Sequence, residues 1–205
     1  IRDSYRAVYD QLAGGEAPAG YGRAECFRAG LLAAQALLAP PAPDTLGARE
    51  LFSSLASTLG PSVAGGDDSP EMRALTDVLD EATLGEGCAE LAAGNAQSAL
   101  TFFQNQERAL DTSSSDTLRY SVLLGLGESL LADVKPREAQ LALAQVSALD
   151  HSSRDRVARA LLRQAEAAVL LRDPRESLQP LLQTIDLSYG DTPWAATARS
   201  MLKSM

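Results

Sequence analysis

Apolar residues recur three and four apart along most of the chain, and no stretch alternates apolar with polar long enough to build a strand. Arg2 to Ala13 reads as a short helix that stops at Gly14-Gly15, with Pro18 following. Tyr21 to Ala39 resumes the pattern. There Phe27, Leu31, Leu32, Ala34 and Leu38 form one stripe, until Pro40-Pro41-Ala42-Pro43 forbids continuation. Asp44 or Thr45 caps a third helix, Leu46 to Leu59, whose Leu51, Leu55 and Leu59 fall on one face. Gly60-Pro61 and then Gly65-Gly66-Asp67-Asp68 make the most flexible-looking stretch, so a boundary is expected near residue 66, dividing an N-terminal helical segment (1–66) from a second domain (67–205). Ser69-Pro70-Glu71 then starts a helix: the serine oxygen accepts from the first free amides, and proline suits the first helical position.

Beyond that point the pattern repeats. The stretches LGEGCAELAAGNAQSALTFF, LGLGESLLADVKPREAQLAL and LRQAEAAVLLRDPRESLQPLL superpose. Each carries a small residue, an apolar one four later, a turn, a second small residue and a bulky one after it. The sets are Gly87, Leu91, Ala99, Phe103; Gly127, Leu131, Ala139, Leu143; and Ala165, Val169, Ser177, Leu181. Small residues facing each other on paired antiparallel helices let the backbones approach, and the bulky one fills the groove beside them. The turns are Gly94-Asn95, Lys135-Pro136 and Asp173-Pro174, with proline opening the second helix.

These spacings resemble the tetratricopeptide repeat over roughly residues 76 to 205, with a period longer than the family's usual ~34 residues. The family's tryptophan, tyrosine and closing proline positions are not matched. The resemblance implies an all-α solenoid of antiparallel hairpins: three hairpins, extra N-terminal helices, and a C-terminal capping helix that Thr192 caps, Pro193 opens and Trp194 seats on the preceding hairpin. That ending is similar to tetratricopeptide proteins of the bacterial cell envelope. The resemblance further implies a non-catalytic scaffold or adaptor whose first helices bind a partner peptide or helix on a concave face. Carrying the family's register over, the groove-facing positions are Glu81, Leu84 and Cys88; Ser121, Leu124 and Glu128; and Arg159, Leu162 and Glu166. The lysine and asparagine clamp by which some members hold a terminal carboxylate is absent there.

Arg156, Arg159 and Arg163 fall on one helical face. Two readings stand: a dock for an acidic partner segment, or a solvated face balanced by Asp155 and Glu166. A structural subunit that self-associates through the N-terminal helices or the Trp194 end is the alternative to a peptide receptor.

Composition narrows the chemistry. Hydrophobic residues are 45% and aromatics only 5%, which favours close helix packing over sheet surfaces. The net charge of −9 opposes the phosphate neutralisation on which nucleic-acid affinity rests. The longest nearly apolar run, Leu31 to Ala39, is about half a membrane span. Cys26, Cys88 and the single His151 are too few and too scattered for zinc, and the two thiols read as free and buried. No phosphate loop, nucleophile elbow or zinc-protease motif occurs, so no catalytic residue, cofactor or metal is expected.

Overall fold

The computed structural model describes residues 22–39, 43–112 and 114–205. The expected helix Arg2 to Ala13 lies outside them. The described residues form ten helices and no strand, so the chain is all-α. It divides into two compact units, Ile1–Asn95 and Ala96–Met205.

The first unit contains α1 (Arg23–Leu37), α2 (Thr45–Val63), α3 (Pro70–Thr83) and α4 (Gly85–Ala92). Helix α2 is central and packs on the other three, burying Leu51, Phe52, Leu55 and Leu59 against Phe27 and Leu31 of α1 and Leu75 and Val78 of α3. The starts follow the capping signals: Asp44 accepts from the Gly47 amide at 3.0 Å and Ser69 from the Met72 amide at 3.2 Å. The end of α2 does not. It runs through Pro61 to Val63 instead of stopping at Leu59, because the proline sits in the last turn and the Ser57 carbonyl it leaves unbonded lies on an exposed residue. Gly85 allows α4 to start against Phe52, where a Cβ would overlap the ring.

The second unit contains α5 (Ala96–Ala109), α6 (Asp116–Ala132), α7 (Pro136–Leu149), α8 (Arg154–Leu171), α9 (Arg175–Ser188) and α10 (Trp194–Ser204). Each helix packs on its neighbour in sequence, and α6 also meets α8 as α8 meets α10, the order of a helical solenoid. Two glycines make α6 a middle layer. Gly125 abuts the Phe103 ring of α5 and Gly127 abuts Leu143 of α7; being two residues apart, they lie on opposite sides of the helix. Ala99, Ala139 and Ala165 are fully buried, and Gly87 in the first unit is buried.

The turns share one design. At Gly94, Val134 and Arg172 the backbone turns left-handed, and the next amide reaches back to a carbonyl of the last helical turn: Asn95 to Glu90 at 2.9 Å, Lys135 to Leu130 at 2.8 Å, Asp173 to Ala168 at 2.9 Å. These positions follow the spacing of the sequence repeat. One register differs. Pro136 is the first residue of α7, but Pro174 stays outside α9, which begins at Arg175. The second helix therefore starts one residue later, and Leu178 and Leu182 are buried where Ser177 and Leu181 are expected; Ser177 is exposed. Val169 also lies exposed instead of in the core.

Helix α10 buries Ala195 and Ala198 on α8 and α9. Trp194 is half-buried, and Pro193 precedes the helix instead of opening it. Thr192 does not cap it: its hydroxyl donates to the Tyr189 carbonyl at 2.7 Å.

Candidate functional site

Six of the eleven groove and arginine-stripe positions fall in two neighbouring polar clusters that tie α6 to α8. The loop before α8 starts the first. Asp150 Oδ1 accepts from the Ser152 amide at 2.8 Å and its hydroxyl at 2.8 Å, and from the Ser153 amide at 3.3 Å; Ser153 in turn caps α8 through the Arg156 amide at 3.2 Å. Asp150 Oδ2 is thereby aimed at Arg156, whose Nε donates to it at 2.5 Å. The other two arms of that guanidinium donate to Ser121 of α6 at 3.0 Å and to Ser152 at 2.9 Å. Arg156 is buried with all three arms engaged. Burial pushes the Asp150 carboxyl up, but the bonds from Arg156 and Ser152 outweigh it and hold the group below the usual carboxylate range.

One turn on, Arg159 binds Glu128 of α6 with two parallel bonds, Nε to Oε1 at 2.6 Å and Nη2 to Oε2 at 2.7 Å. Arg163 donates to Glu128 Oε1 at 3.0 Å and to Glu166 at 2.7 Å. Glu128 is nearly enclosed, whereas Arg159, Arg163 and Glu166 remain about one-third exposed. Burial raises the Glu128 carboxyl; the two guanidiniums lower it further, so it too sits below its ordinary value. Arg159 also lies 5.3 Å over the Trp194 ring, whose indole N–H donates to Asp155 at 2.9 Å. The Trp194 end is thus engaged within its own unit.

The arginine stripe is therefore not a free cationic dock, and of the two acids expected to balance it Glu166 pairs with Arg163 whereas Asp155 accepts from Trp194. Three guanidiniums are matched by Asp150, Glu128 and Glu166, two of which come from outside α8. The three groove leucines, Leu84, Leu124 and Leu162, are buried, at 3%, 7% and 2% exposure. They point to the core because helices packed on two sides keep few positions for solvent. In the first unit, Glu81 accepts from Gln35 of α1 at 3.2 Å, which joins α3 to α1. No disulfide joins the two cysteines; Cys26 is buried and Cys88 half-buried. Asp150 and Ser152 are the functional groups that helix-face reasoning missed; their one sequence signal is the polar run Asp150 to Ser153 between two apolar helices.

Among the described residues no group of three or more His, Cys, Asp or Glu side chains is placed to hold a metal, and no helix is long and apolar enough to cross a membrane. Comparison of the chain with family models, curated proteins and solved structures found no match.

Proposed function

We propose that the chain is a non-catalytic interaction module of the tetratricopeptide kind, which binds a partner peptide or helix across α6 and α8. The observation that supports this reading is the cross-tie from Glu128 to Arg159 and Arg163. It holds a half-exposed row of Arg159, Arg163 and Glu166 in fixed geometry, so a partner meets donors and acceptors that need no ordering on binding. Because each guanidinium is already matched by a carboxylate, recognition works through hydrogen-bond geometry more than net charge. An acidic segment binds only by competing with Glu128 and Glu166.

The test is affinity capture with the intact chain, followed by titration of the recovered protein against an Arg163→Ala/Glu166→Ala variant. Both residues are partly exposed, so the variant is expected to melt as the parent does while affinity falls at least about tenfold. A partner that binds this variant as tightly as the parent overturns the reading.

A further inference from the structure

Helix α8 meets solvent through a strip one residue wide. From Arg156 to Ala168 only Arg159, Arg163 and Glu166 are not buried, and on α6 from Val122 to Leu130 only Glu128 is not. Whatever touches the middle of these two helices touches those side chains. Two carboxylates balance two guanidiniums there, so the strip is neutral as a whole.

The hydrogen-bond positions it leaves open are specific. Arg163 commits Nε to Glu128 Oε1 and Nη1 to Glu166 Oε2. Its third nitrogen, Nη2, bonds to no described residue, and neither does Glu166 Oε1. Both reach solvent, since Arg49 Nε is the one side-chain nitrogen or oxygen among the described residues that is buried without a partner. A donor and an acceptor thus stand on two side chains already bonded to each other. A carboxylate offered to Nη2 is repelled by Glu128 and Glu166, and an ammonium offered to Oε1 is repelled by Arg163. A neutral group that accepts at one atom and donates at the next satisfies both, and the carboxamide of Asn or Gln carries the two on one rigid group.

The ends of the strip are apolar. Trp194 lies half-buried against Arg159, and Leu170, four residues past Glu166 on the same face, is 54% exposed. From Arg159 to Leu170 the helix rises about 16 Å, the length of about five extended residues.

We propose that this strip recognises its partner by an Asn or Gln side chain, held between Arg163 Nη2 and Glu166 Oε1, with an apolar residue on either side of it to cover Trp194 and Leu170. The proposal rests on the reading of the chain as an interaction module and names the chemistry of what it binds.

Randomised peptides long enough to cover the strip, displayed on phage, selected on the intact chain and counter-selected on Arg163→Ala/Glu166→Ala, test it. The retained peptides should carry Asn or Gln between apolar residues. In a synthetic copy, changing that residue to Asp or to Leu should weaken binding at least about tenfold. Glu166→Gln removes the repelling carboxylate and should return part of the loss for the Asp peptide, while the melting curve stays at the parent's. Peptides that need Arg163 and Glu166 but bind through a carboxylate, a cation or the main chain, so that those changes leave affinity unaltered, overturn this proposal and leave the interaction module standing. A library that yields no peptide dependent on Arg163 and Glu166 overturns both.

Discussion

Replacing Gly125 by alanine isolates the contact that makes α6 a middle layer. A Cβ at residue 125 would overlap ring atoms of Phe103, which is fully buried and has no open side to move into. Overpacking of this kind costs about 1–3 kcal/mol, and the rigid ring places it at the upper end. Alanine returns about 1 kcal/mol of helix propensity, so the net loss is about 2 kcal/mol. Gly127→Ala meets Leu143, whose branched end can shift, and should lose about 1 kcal/mol. Gly60 is the control: no other element lies near its missing Cβ, but it precedes Pro61, whose Cδ crowds a Cβ on a preceding helical residue, so the helix-propensity gain is offset and Gly60→Ala should stay within about 1 kcal/mol of the parent. Circular-dichroism denaturant curves of the three variants measure these values as midpoint shifts at constant slope. Gly60→Ala should stay near the parent, with Gly127→Ala and then Gly125→Ala below it. If Gly125→Ala unfolds at or above the parent's midpoint, α5 and α6 do not approach through that glycine and the layer argument fails. A Gly125→Ala/Phe103→Leu pair should recover part of the loss, because the smaller side chain vacates the volume the new methyl needs.

Val134 is a β-branched residue held left-handed at φ 56°, and it is largely exposed, so Val134→Gly should raise stability by about 1 kcal/mol in the same denaturation assay; a decrease refutes the strain. Asp150→Ala leaves Arg156 buried without its anion and should cost about 3 kcal/mol, whereas loss of the mostly exposed Arg73–Asp68 pair should leave the melting temperature unchanged. Asp150 and Glu128 both ionise more readily folded than unfolded. Their contribution is complete above the ordinary carboxylate range and is lost as pH falls through the lower folded values, so stability should drop below about pH 4. A urea midpoint series against pH should show that drop, and Asp150→Asn should flatten it; an unchanged acid slope in the variant refutes the assignment.

Helix positions were legible in the sequence because the capping and breaking residues act locally. Ser69 and Asp44 begin their helices where the pattern places them, and Gly87, Gly127, Ala99 and Ala139 are buried as small residues at a helix contact should be. Three features were not legible. The left-handed residues at Val134 and Arg172 look like ordinary helix residues; the hairpin closure holds them there against their own preference. The one-residue slip of α9 depends on whether a proline lies inside or outside the first turn, and both placements satisfy its fixed φ. The fate of the arginines depends on acids from another helix and a loop, which a helical wheel drawn for α8 alone leaves out.

Helices α6, α7 and α8 are rich in alanine and leucine, and apolar contacts of similar size on successive turns leave several slid arrangements close in energy. Hydrogen bonds to a buried charge discriminate between them. Sliding α8 by one turn against α6 would carry Arg159 away from its paired bonds to Glu128 and leave Arg156 buried without Ser121. The ion pairs therefore select one register from many that the hydrophobic effect alone would tolerate, and they add little to the depth of the well. The register so fixed also fixes the positions of Arg159, Arg163 and Glu166, whose charges are already matched within the unit.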